Sequence, residues 1–161
     1  MAALDRLERK LRRSLKGKVL LIGAGNELRS DDGAGAILAR RLENRLRASV
    51  LNAGSALESF LSPVLREAPD TVALIDAVHF DGRPGEVGIF HAADLGLARL
   101  GTHGMSPGLF MKTLKQQGVA RTLLIGIQPG RTAVGQEMTA EVQSAMETLD
   151  TMLTRILGMN G

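Results

Sequence analysis

The chain has 161 residues, 44% of them hydrophobic and 23% charged, which fits one globular domain and excludes a disordered chain. It contains no Cys, Trp or Tyr, which excludes disulfide frames, zinc–cysteine and iron–sulfur sites and a thiol nucleophile, and leaves the core mainly to Leu, Ile, Val, Met and Ala. The net charge of +3 comes from residues 1–16, where six basic residues stand against two acidic ones; the remainder holds 14 basic and 15 acidic residues, with almost no aromatic side chains to stack bases, so no nucleic-acid partner is expected.

Residues 3–15 are predicted to form an amphipathic helix, because Leu4, Leu7, Leu11 and Leu15 recur at spacings of three and four. Arg6, Arg9, Lys10, Arg12 and Arg13 then form a solvated basic face, with a docking arm for an acidic partner as the alternative. No stretch approaches the roughly 20 apolar residues of a membrane span, and the start lacks the apolar stretch of a signal peptide, so a cytoplasmic protein is expected. The organisation expected is a basic N-terminal helix over 1–16 and a single α/β domain over 17–161.

Gly17 ends the first helix, and residues 18–22 read as a strand. A loop over 23–32 leads into a helix over 33–47, with Ile37, Leu38, Leu42 and Leu46 on one face. Residues 48–51 form a second strand. Ser55 and Glu58 match a capping box, so a helix is expected to start there. Pro63 predicts a kink or restart in it, with Ser62 as a second cap. Residues 71–76 are a third strand, apolar nearly throughout, as a strand covered on both faces would be. Turn chemistry over 81–85 separates it from a fourth strand over 86–90. Further helices are expected over 92–99 and 108–117, with an irregular stretch at 101–107 between them. A fifth strand spans 121–127, and a last helix, capped by Thr139, reaches about residue 157. Alternating strands and helices imply a largely parallel α/β sheet with helices on both faces. The turn at 81–85 is too short for a crossover helix, so the fourth strand is expected to be antiparallel.

The densest chemical signal is Gly23-Ala24-Gly25-Asn26-Glu27-Leu28-Arg29-Ser30-Asp31-Asp32-Gly33, between a strand and a helix. It fails as a dinucleotide fingerprint: Leu28 stands where the third glycine belongs, and no acidic residue ends the second strand near Asn52. Two adjacent carboxylates would repel a pyrophosphate, so the loop points to a cation. Asp76 ends the third strand, and if strands one and three are neighbours, Asp32 and Asp76 face one crevice where the strand order reverses. His103, in the irregular stretch, is the third candidate. Two carboxylates and one imidazole suit nickel, zinc or iron, and leave coordination positions open. Singly, each has a structural reading: Asp32 as a carboxylate favoured at a helix N-terminus, Asp76 as a loop cap, and a lone histidine as surface or core. His79 and His91 are placed in that last class. The combination brings a metal crevice level with these structural readings.

At these residues the sequence resembles the hydrogenase maturation endopeptidases, over about residues 18–157. The resemblance is carried by the opening motif 23–33 and by Ala53-Gly54-Ser55-Ala56, Leu74-Ile75-Asp76-Ala77, Pro84-Gly85-Glu86-Val87, Thr102-His103 and Gly126-Ile127-Gln128-Pro129, in order and at the family's spacing. Asn26-Glu27-Leu28-Arg29 and the Gly126–Pro129 segment look most like the hydrogenase 3-like branch, which serves formate-linked or membrane-bound hydrogenases. The sequence departs from the family at Asn52, where many members have Asp, at Gly101, where some have a second Thr, and at Pro107, which sits one place late.

The resemblance implies a three-layer α/β/α fold with a five-stranded mixed sheet in the order 2-1-3-5-4, strand four antiparallel. It implies that Asp32, Asp76 and His103 contact nickel and carry the reaction. The substrate implied is a nickel–iron hydrogenase large-subunit precursor, from which a C-terminal extension is removed. The nickel arrives in the substrate, held by its cysteines; zinc or another divalent ion would substitute in the isolated protein. Asp31 is close enough in sequence to be considered as an accessory group, and a monomer is the plainer expectation. Two other readings compete: an aminopeptidase-like hydrolase holding its own divalent ion, and a non-catalytic metal- or nucleotide-binding module.

Overall fold

A computed structural model describes residues 2–95 and 104–160. Its centre is β3 (Thr71–Ala77), in which Val72, Ala73, Leu74 and Ile75 are all fully buried. A strand this apolar is stable only with both faces covered, and its neighbours supply the cover. β1 (Val19–Ala24) and β5 (Arg121–Ile127) pair parallel on either side of it, with Ile22 opposite Leu74 and Ile125 opposite Ile75. β2 (Ser49–Gly54) lies parallel outside β1, and β4 (Val87–Phe90) closes the other edge antiparallel to β5. The order is β2-β1-β3-β5-β4, so the α/β/α fold and the antiparallel fourth strand agree with expectation.

Alternation along the strands divides the core in two. Leu21, Ala73, Ile75, Leu123 and Ile125 face α1 (Ala2–Ser14), α2 (Ala34–Leu42) and α5 (Ala140–Leu157) through Leu11, Leu38, Leu149 and Leu153. Leu20, Ile22, Val72, Leu74 and Leu124 face α3 (Leu61–Arg66) and α4 (Pro107–Gln116) through Val64, Phe110, Met111 and Leu114. The N-terminal helix is therefore seated on the sheet's first face: Leu11 is fully buried, and Glu8 pairs with Arg155 of α5 at 2.6 Å. Among the described residues no helix is long and apolar enough to cross a membrane.

Several boundaries differ from the sequence reading. β1 and β2 run on to Ala24 and Gly54, because the parallel ladder continues through residues whose glycines suggested a loop. α2 stops at Leu42 and not at 47: Glu43 leaves helical geometry and Asn44 takes φ +62°. Leu46 reaches the same core by a bridge to Met159, while Arg47 N–H donates to the Gly158 carbonyl. The capping box at Ser55 does not form. Residues Leu57–Phe60 make a 3-10 turn, and the Glu58 carboxylate accepts from Met105 N–H at 3.4 Å. The chain does restart before Pro63, with Phe60 and not Ser62 at the N-cap. Pro63 is the third residue of α3, where an N–H has no intrahelical acceptor, so its missing donor costs little. Of the helix expected over 92–99, the described part is a 3-10 turn, Ala92–Asp94; residues 96–99 lie outside the described residues.

The approach of α2 to the sheet positions the site. A Cβ built at Gly35 would lie 2.1 Å from the Ile75 carbonyl oxygen and 2.5 Å from that of Ala24. One built at Gly23 would lie 2.1 Å from the Gly35 oxygen. Only two glycines let the helix start rest against the carboxyl ends of β1 and β3. Gly35→Ala is expected to destabilise the fold by about 3 kcal/mol or more, since backbone on both sides must move; equilibrium urea unfolding measures it.

Candidate functional site

β1 and β3 are adjacent, with their next parallel neighbours on opposite sides, so their carboxyl ends form the point at which the strand order reverses. A crevice of about 470 Å³ opens there, lined by Asp32 and Asp76 together with Asn26, Arg29, Ser55 and His79, among others. Asp32 comes from the 3-10 turn Ser30–Gly33 and Asp76 from the end of β3. The two carboxylates predicted to share a crevice line the same one.

The adjacent aspartates have separate roles. Asp32 is half-buried, and its Oδ2 accepts from Asn26 N–H at 3.1 Å, which folds the opening loop back over the start of the turn. Asp31 has no exposed surface and is not part of the crevice lining. Its Oδ2 accepts from Gly130 N–H (2.8 Å), Arg131 N–H (3.1 Å) and the Thr139 hydroxyl (2.9 Å), and its Oδ1 from Thr139 N–H (2.8 Å). Burial by itself would raise this carboxyl; the donors of Thr139, Arg131 and Gly130 outweigh it and hold the group below the ordinary carboxylate range. The geometry gives Asp31 a structural task. It fastens the segment after β5, and the N-cap of α5, to the motif that carries Asp32.

Asp76 has the opposite environment. Burial, then the nearby Asp32 charge, push its carboxyl well above the usual range, against the pull of Ala77 N–H. A carboxylate whose ionisation is disfavoured by burial and by a neighbouring carboxylate is relieved by a proton or a cation. With oxygen donors only, the pair fits a divalent ion that completes its coordination with other ligands. Among the described residues no three His, Asp or Glu side chains gather as a full metal set. His103 lies outside the described residues. Met105, Ser106 and Pro107, shortly after it, line the crevice.

Three residues that the sequence reading left outside the site, His79 among them as a surface or core histidine, help build it. Arg29 lines the crevice and donates from Nε to the Thr132 carbonyl at 3.1 Å. His79 lines the crevice as well, while His91 belongs to the Ala92–Asp94 turn, its Nδ1 3.4 Å from the Thr122 carbonyl. Buried Gln128 holds the segment that carries His79. Its Oε1 accepts from Phe80 N–H (2.8 Å) and Gly82 N–H (3.1 Å), so its amide nitrogen is the group facing His79 Nδ1 at 3.2 Å. A donor there makes Nδ1 the acceptor and puts the ring hydrogen on Nε2. The available signal was position: His79 follows Asp76 by three residues, beyond the end of the central strand.

Comparison with known proteins agrees with this architecture. A family model described as hydrogenase maturation protease matches residues 35–156. The hydrogenase 3 maturation protease of Escherichia coli is 28% identical over 133 residues, covering 81% of this chain and 85% of that protein. The crystal structure of a [NiFe] hydrogenase maturation protease, HycI, from Thermococcus kodakarensis superposes with a TM-score of 0.84 at 29% identity, over 92% of this chain and 98% of that one. The solution structure of the endopeptidase HycI from Escherichia coli gives a TM-score of 0.74 at 27% identity, over 84% and 88% of the two chains.

Two opposite stability effects are expected from Asp31 and Asp76. Asp31→Ala strands three backbone N–H groups and a hydroxyl, and should cost about 3 kcal/mol or more at neutral pH. Asp31 is held below its unfolded value, so its contribution is present above the unfolded pKa and is lost as pH falls through the folded one. Asp76 is raised, so the folded chain holds a proton that the unfolded chain has released, and stability falls as pH rises above the unfolded value of 3.8. Asp76→Asn should therefore be more stable than the parent at pH 7, with the gap closing below about pH 4. Urea unfolding of both variants at the two pH values reads these signs.

Proposed function

The chain belongs to the hydrogenase maturation protease family and is a peptidase, and from that premise we propose that it cleaves the C-terminal extension from a nickel–iron hydrogenase large-subunit precursor once nickel is in place. The observation that carries the reading is the carboxylate pair: Asp32 and Asp76 line one crevice, close enough for the charge of one to raise the other. Such a pair favours a substrate that brings positive charge, and a nickel ion held by the substrate's own cysteines supplies it. Asp32, Asp76 and His103 are the residues that contact this ion. A precursor without nickel brings no cation to the carboxylates and is not held there for cleavage, so the ion works as a marker of completed insertion.

The absence of Cys from the chain leaves the sulfur ligands to the substrate. Once the ion is seated between the carboxylates, the segment that follows it is fixed in the crevice. Fixing a reacting bond in this way can supply about 7–11 kcal/mol of the barrier in favourable cases. The protein's part is then to bind, to orient and to discriminate. Asp31 keeps Asp32 in place from behind, and Gln128 sets the ring of His79 with its Nε2 hydrogen as donor. In the absence of substrate, zinc or another divalent ion binds weakly at the same carboxylates, because they form an incomplete ligand set.

The test is mass spectrometry of a purified nickel-loaded large-subunit precursor incubated with this protein. Loss of a C-terminal peptide is expected with nickel and not without it. Asp32→Asn, Asp76→Asn and His103→Gln should each abolish or greatly slow the loss. Full activity in all three variants, or equal cleavage of the nickel-free precursor, would overturn the proposal.

A further inference from the structure

Leu28 and Val134 are the most exposed large apolar side chains among the described residues, at 74% and 73%. They sit together, although 106 positions separate them in the sequence. Gly135 N–H, next to Val134, donates to the Leu28 carbonyl at 3.0 Å. Arg29, next to Leu28, donates to the carbonyl of Thr132, two residues before Val134. Arg29 and Thr132 both line the crevice, so the loop segments that carry the two apolar residues border it.

Exposed apolar residues scattered singly need no explanation. Two on distant loops that a main-chain hydrogen bond joins, each about three-quarters exposed, do. The loops are also unusually well fastened. Besides the bonds above and those to Asp31, the Ser30 hydroxyl donates to the Glu137 carbonyl (2.7 Å), Asp31 N–H to the Arg131 carbonyl (3.2 Å) and Arg131 Nε to the Glu137 carbonyl (2.9 Å). Ser30 is held at φ +53°, a left-handed conformation that a non-glycine residue keeps only when its surroundings hold it there. A loop fixed this firmly gains little for the fold from leaving a leucine and a valine in water. It does lower the ordering cost of a partner that covers them.

We propose that Leu28 and Val134 form an apolar docking platform for the precursor polypeptide, taking an apolar stretch that flanks its metal-bearing segment. The inference rests on the proposed substrate and adds a second recognition element to it. The carboxylates of the crevice read charge, and the rim reads the apolar side chains beside it. The charge of the crevice and its continuity with the rim select this occupant, since one polypeptide that brings a cation into the crevice must cross the rim to do so. Recognition by two contacts of different kind separates binding of the polypeptide from detection of the ion.

The experiment is steady-state cleavage of nickel-loaded precursor by Leu28→Asp, Val134→Asp and the double variant. Both positions are exposed, so thermal unfolding should match the parent. The milder pair Leu28→Ser and Val134→Ser serves if the charged variants fold poorly. The double variant is expected to raise KM by about tenfold or more, with kcat at saturating precursor changed less than about twofold. Leu28→Met with Val134→Ile should keep the parental KM. Met159→Asp, an equally simple loss of exposed apolar surface at the opposite end of the sheet, should not move it. An unchanged KM in the double variant, with the parent cleaving normally, overturns the platform and leaves the proposed function standing. A parent that binds the precursor without cutting it overturns the proposed function, and the platform then stands or falls on whether the double variant raises Kd by the same factor. A parent that neither cuts nor binds overturns both.

Discussion

The site depends on one buried carboxylate that does not face it. Asp31 takes four hydrogen bonds from residues about a hundred positions downstream, three of them from the main chain. A buried carboxylate is stable only when so satisfied, and the same bonds hold the segment after β5 against the loop after β1. With Asp31 fixed inward, the next residue turns outward, and Asp32 lines the crevice. The N-cap of α5 is part of the same knot, since Thr139 gives both its N–H and its hydroxyl to Asp31 while accepting from Val142 N–H. The crevice, the loops beside it and the last helix are therefore held in register by one side chain.

Opposed electrostatics on the two sides of this anchor explain how the fold bears an acidic crevice. On the buried side, every oxygen of Asp31 meets a donor, and ionisation is favoured. On the open side, Asp76 lies near the end of the buried central strand with Asp32 nearby, and ionisation is disfavoured. The molecule is thus stabilised by one aspartate and strained by another 45 positions along. Strain of that kind is expected where charge is kept ready for a ligand. The contacts of Gln128 serve a related purpose, since they order the chain just past Asp76 without adding charge.

Most of the fold was legible in the sequence because the elements announce themselves locally. The unbroken apolar run of β3 required cover on both faces, and the short turn at 81–85 forced β4 to run antiparallel. The errors cluster where distant chain took over. The spacing of Leu38, Leu42 and Leu46 satisfies a helix, yet Leu46 is buried by pairing with the C-terminal tail. Ser55 and Glu58 satisfy a capping box, yet Glu58 answers to Met105. In both cases the right residue was buried or bonded, by a partner that no local window contains.

The candidate site divides in the same way. The sequence by itself determined that one acidic residue follows the first strand and another ends the third, and topology rules then bring Asp32 and Asp76 to one crevice. It also determined the glycines that let α2 rest on the strand ends. It could not determine which downstream donors hold Asp31 away from the crevice, that His79 joins the two carboxylates in its lining, or that the loops of Leu28 and Val134 meet. Those outcomes were decided by hydrogen bonds and contacts across about a hundred residues, which exist only once the sheet has brought the loops together. Periodicity and turn chemistry are properties of neighbours in the chain. The facing of a side chain is a property of whatever packs behind it.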